Sequence, residues 1–274
     1  MSEPRLVSPS HRGRVLILAG SDSGGGAGLQ ADIKTVTALG GYAATAVTAI
    51  TVQNTLGVTG VFAVPTGVIE AQAQAVLGDI GADALKTGML GDVATVEAVA
   101  RIIDLAAGVP AVIDPVMIAK GGSPLLAPEA IGAVNSLLLP RAALLTPNAP
   151  EAAALTSLPT STTDELRRAG RALLEMGARA VLMKGGHIQG SRLVDLLLTR
   201  DEELLFESER IETRHTHGTG CTLASAIATG LAQGLPLREA VPRACAYVHE
   251  AILRAPGFGA GHGPLDHAWP LRKP

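Results

Sequence analysis

Short apolar runs recur along the chain, and each ends in polar residues or glycine. "RVLILAG" (14–20) is continuously apolar up to its glycine, as a strand buried on both faces reads. "AGLQADIKTVTALGG" (27–41) then places apolar residues at helical spacing and stops at Gly40-Gly41. "YAATAVTAITV" (42–52) is rich in β-branched residues and predicts the next strand. "ADALKTGML" (82–90), "AVIDPVM" (111–117), "AALLTPN" (142–148) and "AVLMKGG" (180–186) repeat the theme, with helical patterns over 67–79, 93–106, 128–138 and 163–176. This alternation predicts an α/β fold with a mostly parallel central sheet and helices on both of its faces. After residue 186 the pattern changes. "RLVDLLLT" and "ELLFESERIET" flank "RDEE" and predict a hairpin, and "GCTLASAIATGLAQG" and "LREAVPRACAYVHEAILRA" predict two closing helices. With no Pro/Ser-rich linker, the expectation is a flexible tail over 1–13 and one domain over 14–274.

Composition narrows the class. The 274 residues are 47% hydrophobic but 2% aromatic, so the core is aliphatic. The 32 glycines cluster in short loops, which suits close backbone approach to a ligand. A net charge of −3, without a basic stripe or interleaved aromatics, argues against a nucleic-acid partner. Two cysteines make no disulfide framework and suit a reducing compartment. The start "MSEPRLVSPSHRG" lacks an apolar targeting core, and "GYAATAVTAITV" is too short and too polar for a membrane span. The expectation is a soluble cytoplasmic protein.

In open α/β sheets ligands sit beyond the carboxyl ends of the strands. That singles out Asp22, Gln53, the stretch from Lys86 to Met89, Asp114, Asn148, Lys184 and His187.

Each candidate carries more than one reading. "AGSDSGGGAGLQAD" is either a connecting loop or a loop whose backbone holds a ligand; it is not a Walker motif and lacks dinucleotide spacing. Asn148 and Glu151 straddle a helix start, where they can cap the helix or hold the water shell of Mg²⁺. Asp114 closes an apolar strand and needs a partner. Lys184, also at a strand end, is either a solvated tip or a phosphate contact. In "HTHGTGCTLASA", Gly218, Thr219 and Gly220 can turn their N–H groups inward at a helix start, an arrangement suited to negative charge. Cys221 is there a base whose pKa the helix lowers, a small buried hydrophobe, or a nucleophile paired with His217. His187, His215, His217 and His249 show no zinc spacing with a cysteine pair. Met89 reads as core or as the wall of a flat-ring site.

The order of these motifs resembles one family. "AGSDSGGGAGLQADIKT", "TAITVQNTLGV", "LKTGML", "DPVM", "TPNAPEAAAL", "VLMKGGH", "HTHGTGCTLASAIA" and the tail "GAGHGPLDHAW" are similar to the hydroxymethylpyrimidine/phosphomethylpyrimidine kinases of thiamine biosynthesis, of the ribokinase-like superfamily. The resemblance implies an ATP- and Mg²⁺-dependent kinase acting on 4-amino-5-hydroxymethyl-2-methylpyrimidine and then on its monophosphate, usually as a homodimer. Carried over by position, Gly218, Thr219 and Gly220 form the anion hole and Cys221 is the base. Gln53 reads the aminopyrimidine, and Gly20, Asp32, Met89 and Val116 surround it. Lys184, Asn148 and Thr216 serve ATP, while Glu151 and Asp114 serve the metal. Gly24 stands where many relatives carry serine. Pyridoxal kinase and a non-catalytic pyrimidine sensor are the alternatives.

Overall fold

The computed structural model describes residues 12–119, 121–187 and 192–272. Its centre is one nine-stranded sheet in the order β3-β2-β1-β4-β5-β6-β7-β8-β9. The strands are β1 (Arg14–Asp22), β2 (Tyr42–Asn54), β3 (Gly57–Ala63), β4 (Ala84–Thr87), β5 (Ala111–Ile113), β6 (Leu144–Leu145), β7 (Ala180–Met183), β8 (Arg192–Thr199) and β9 (Glu203–Glu209). From β2 to β7 neighbours pair in parallel, while β3, β8 and β9 pair antiparallel. The helices are α1 (Gly28–Ala38), α2 (Thr66–Asp79), α3 (Val93–Leu105), α4 (Ala130–Ala133), α5 (Ala149–Thr156), α6 (Thr163–Glu175), α7 (Thr219–Ala232) and α8 (Leu237–Leu253).

Strand alternation divides the core in two. Leu16 and Leu18 of β1 join a cluster with residues of α2, α3, α5 and α6. Val15, Ile17 and Ala19 point the other way, into a cluster with α1, α7 and α8. Burial on both faces explains why these strands read as unbroken apolar runs. Strand order reverses at β1, with β2 on one side and β4 on the other, and such a reversal opens a crevice at the carboxyl ends.

The structure departs from the sequence-based expectations at particular elements. The strand β3 was not anticipated: "GVTGVFA" contains two glycines and leaves most of its side chains exposed, so it lacks an apolar period. The expected helix over 128–138 is a short α-turn followed by a wider π turn over Val134–Leu138. The strand expected over 142–148 shortens to Leu144–Leu145, because Asn148 is already capping α5. Most of the expected tail falls outside the described residues. Gly13, assigned to it, is structured: its carbonyl accepts from the Tyr42 N–H at 2.9 Å.

The closing segment after α8 is anchored by His267. Its ring Nε2 lies 3.0 Å from Thr222 Oγ1, and its carbonyl accepts from Tyr247 Oη at 2.7 Å. Burial, aided by repulsion from Lys34, lowers its pKa from 6.5 to about 4. The folded form keeps this imidazole neutral while the unfolded chain protonates it. The stability it contributes is therefore present above about pH 6.5 and lost as pH falls towards about 4. Urea titrations should show His267→Gln flattening this acid-side loss by up to roughly 3 kcal/mol relative to the wild type.

Candidate active site

The carboxyl ends of β1, β2, β4, β5, β6 and β7 bring the expected residues to one edge of the sheet. Two glycine-rich turns meet there. After β1 the chain needs no side chains between Gly24 and Gly26, because the Asp22 carboxylate organises the turn. It accepts from the N–H groups of Gly24 (2.8 Å), Gly26 (3.1 Å) and Ala27 (2.8 Å). His217 Nε2 adds a fourth contact, 2.9 Å from Asp22 Oδ2. Burial alone would raise the Asp22 pKa, but these hydrogen bonds outweigh it and hold the carboxyl below its ordinary range.

The second turn precedes α7. Gly218 has φ +84°, and a Cβ there would lie 1.9 Å from the Gly26 carbonyl oxygen, so only glycine lets the two turns touch. Thr219 Oγ1 donates back to the Thr216 carbonyl at 2.8 Å, closing the turn. Gly220 faces charge: a Cβ on it would lie 3.2 Å from Lys184 Nζ and 3.7 Å from Asp114 Oδ2.

Lys184 joins that turn to the acidic pair. Its Nζ is 3.0 Å from Asp114 Oδ1 and 3.8 Å from Glu151 Oε2. Burial opposes the ammonium, but Asp114 and Glu151 together raise its pKa and keep it charged. Asn148 and Glu151 form a reciprocal capping box on α5, with Glu151 N–H to Asn148 Oδ1 at 2.9 Å and Asn148 N–H to Glu151 Oε2 at 2.8 Å. The cap reading is thus realised. Burial pushes Glu151 up to about 7, with Asp114 adding and Lys184 opposing. Among the described residues no group of three His, Cys, Asp or Glu could enclose a metal. Because Glu151 is occupied by Lys184 and by backbone N–H groups, the pair Asp114 and Glu151 fits Mg²⁺ through its waters, a mode that ion favours.

Gly20 and Met89 are brought into contact: a Cβ on Gly20 would lie 3.1 Å from Met89 Sδ. Val116 and Asp114 line one small pocket with Gly88, and Gln53 and His217 line another with Ala119 and His262. The side chain of His187 lies outside what the structure describes.

Two expectations change. Asp32 does not line the cleft: it is fully buried on α1. Both its oxygens accept from Lys86 Nζ, at 2.9 and 2.8 Å, and Oδ1 also accepts from Ser225 Oγ at 2.7 Å. The helix start was also expected to lower the Cys221 pKa, yet the thiol is raised to about 12. Burial among packed atoms outweighs the pull of Lys86 and of the Gly28 N–H, and Asp32 and Asp114 push the same way as burial. Sequence reading also missed what Lys86 and His217 do. Their positions had been noted, but a lysine in a buried strand needs a carboxylate from another element, and sequence does not say which.

The fold and this site, with a glycine turn at a helix start facing a part-buried lysine and two carboxylates, define a small-molecule kinase of the ribokinase-like class. The sequence model of the phosphomethylpyrimidine kinase family matches residues 22–266, and the chain belongs to that family. It is 48% identical to the hydroxymethylpyrimidine/phosphomethylpyrimidine kinase of Streptomyces coelicolor, across 94% of this chain and 95% of that one. It is 49% identical to the thiamine biosynthesis bifunctional protein ThiED of Geobacter sulfurreducens, where it covers 95% of its own length and 53% of the longer relative. The ADP complex of Bacillus subtilis pyridoxal kinase superposes with a TM-score of 0.88 at 36% identity, over 94% of this chain and 98% of that one. The phosphomethylpyrimidine kinase of Clostridium difficile gives 0.78 at 39% identity, over 87% and 99%.

Deleting one partner of the buried pair leaves the other charge stranded, so Lys86→Met should destabilise the fold by roughly 3–5 kcal/mol in denaturant titration. The double variant Lys86→Met/Asp32→Leu should recover most of that loss.

Proposed function

We propose that this protein uses ATP to phosphorylate 4-amino-5-hydroxymethyl-2-methylpyrimidine and then its monophosphate, yielding the diphosphate used in thiamine biosynthesis. The observation that carries the reading is the bare Cα of Gly220 beside Lys184 and Asp114, which brings the anion-holding turn, a cation and a carboxylate to one point. Residues 14–274 act as one kinase domain, in the cytoplasm and as a homodimer. The edge formed by β2 and β3 supports the dimer, with Ile50, Val52 and Phe62 all at least half exposed. No described helix is long and apolar enough to cross a membrane. The higher identity to named pyrimidine kinases, 48% against 36% for the pyridoxal kinase, favours the pyrimidine over pyridoxal.

Phosphoryl transfer asks a protein mainly for positioning and charge stabilisation. Gly20, Met89 and Val116 wall the flat ring, and the Gln53 amide reads its polar edge. Asp32 serves the site from beneath, by holding Lys86. Lys184, with Asn148 bridged to it along the backbone and Thr216 in the turn before α7, meets the nucleotide phosphates. Asp114 and Glu151 would hold the waters of Mg²⁺, which when bound would supply additional positive charge. The N–H groups of Gly218, Thr219 and Gly220 receive the charge on the group in transit, and Cys221 takes the proton of the attacking hydroxyl.

A thiol near 12 is ionised in a fraction that grows tenfold per pH unit. The logarithm of kcat should therefore climb with a slope approaching one between about pH 7 and pH 9 and show no plateau. Cys221→Ala should abolish that slope and lower kcat by roughly 10²–10⁴ while leaving ATP binding nearly intact. Wild-type turnover in this variant would remove the base role. ADP release measured with the hydroxymethylpyrimidine, its monophosphate and pyridoxal tests the whole assignment, with diphosphate formation from the first two and slow turnover of the third expected. Faster turnover of pyridoxal would reverse the substrate order.

A further inference from the structure

Around Gln53 the protons can be counted. Asp22, held as a carboxylate by three backbone N–H groups, only accepts. His217 Nε2, 2.9 Å from Asp22 Oδ2, therefore carries a hydrogen and donates it there. The same Nε2 lies 3.2 Å from the terminal Nε2 of Gln53, and two donors facing each other repel. The other end of the amide has the mirror problem. The Oε1 of Gln53 is 3.1 Å from Thr51 Oγ1, whose one hydrogen must also serve the Ser21 carbonyl at 2.9 Å. Two acceptors compete for one hydrogen there. An amide keeps its shape when its ends are exchanged: Oε1 then shares the His217 N–H with Asp22, and Nε2 donates to Thr51 Oγ1, whose hydrogen is left for Ser21.

We infer that Gln53 is held with Oε1 towards the His217 N–H and Nε2 towards Thr51 Oγ1, and that His217 and Thr51 set ring specificity by locking this orientation. The inference rests on the reading that Gln53 meets the aminopyrimidine. His217 is nearly buried at 8% exposure and Thr51 at 4%, so water does not compete freely for either contact. The Gln53 backbone is pinned as well: its N–H donates to Ser23 Oγ at 2.9 Å, and its carbonyl accepts from that hydroxyl at 2.8 Å. What stays free on the amide is one oxygen lone pair beside one N–H, in a fixed order. An amino group next to a bare ring nitrogen complements that order. A 4-oxo pyrimidine, with a protonated ring nitrogen next to a carbonyl, presents the reverse and is rejected, because the locked amide cannot turn to meet it. His217 and Thr51 are thus positioning residues that act through Gln53.

The test pairs a spectroscopic and a kinetic readout. In ¹⁵N-labelled wild-type protein, long-range ¹H–¹⁵N correlation of the His217 ring should show Nε2 protonated; a bare Nε2 overturns the inference whatever the enzyme turns over. In kinetics, the wild type should prefer the 4-amino substrate over its 4-oxo analogue by roughly 10² or more in kcat/KM. Thr51→Val and His217→Phe should each cut that preference about tenfold by raising turnover of the 4-oxo analogue, a gain that mere structural damage does not produce. A preference unchanged within about twofold in both variants refutes the locking role. If the wild type phosphorylates no pyrimidine at all, the proposed function falls instead, and the ring spectrum still decides the orientation of Gln53.

Discussion

The site depends on the contact between two turns that have no side chains at their meeting point. Gly26 and Gly218 approach so closely that a single added carbon on Gly218 would overlap the Gly26 carbonyl. Such an approach places two sets of backbone N–H groups together but provides no adhesion of its own. The adhesion comes from Asp22, which gathers the N–H groups of its own turn and takes a fourth bond from His217, the residue just before Gly218. One carboxylate therefore shapes the first turn and ties it to the second. The α1 and α7 helix starts then stand side by side, and the resulting positive potential is built into the backbone before any substrate arrives.

Charged side chains reinforce this arrangement from below and from the side. Lys86 lies in a strand that is fully covered, and Asp32 satisfies it from α1 while Ser225 on α7 donates to that carboxylate. Lys184 closes the other flank against Asp114 and Glu151. Burial, with Lys86, Asp32 and Asp114 acting on the thiol, sets the acidity of Cys221, which explains why helix position alone was a poor guide to it. Cations held firmly by buried carboxylates need little reorganisation as charge moves during transfer, and that is the main contribution a protein makes to this chemistry.

Much of the fold was legible because strands covered on both faces must be apolar throughout and must end where the chain turns polar. The positions after β1, β4, β5 and β7 were found on that ground. The glycine turns at 24–26 and 218–220 were equally visible, since clustered glycines next to helix starts have few other uses. The reciprocal cap between Asn148 and Glu151 was readable from spacing. The edge strand β3 escaped because a strand with most of its side chains in solvent carries no apolar period. Asp32 was carried over to the ring site by its place in a motif, yet it is fully buried and spent on Lys86 and Ser225.

By itself the sequence determined the alternation of strands and helices, the edge of the sheet where polar residues collect, and the glycine turns, since all three follow from covalent order and from local periodicity. The pairing of charges was decided by the tertiary structure alone. Lys86 is 54 positions from Asp32, Lys184 is 70 from Asp114, and His217 is 195 from Asp22. No local rule selects among such partners, because a buried charge settles against whichever opposite charge the packed helices bring within reach, and the same packing sets the protons on Gln53 and Cys221.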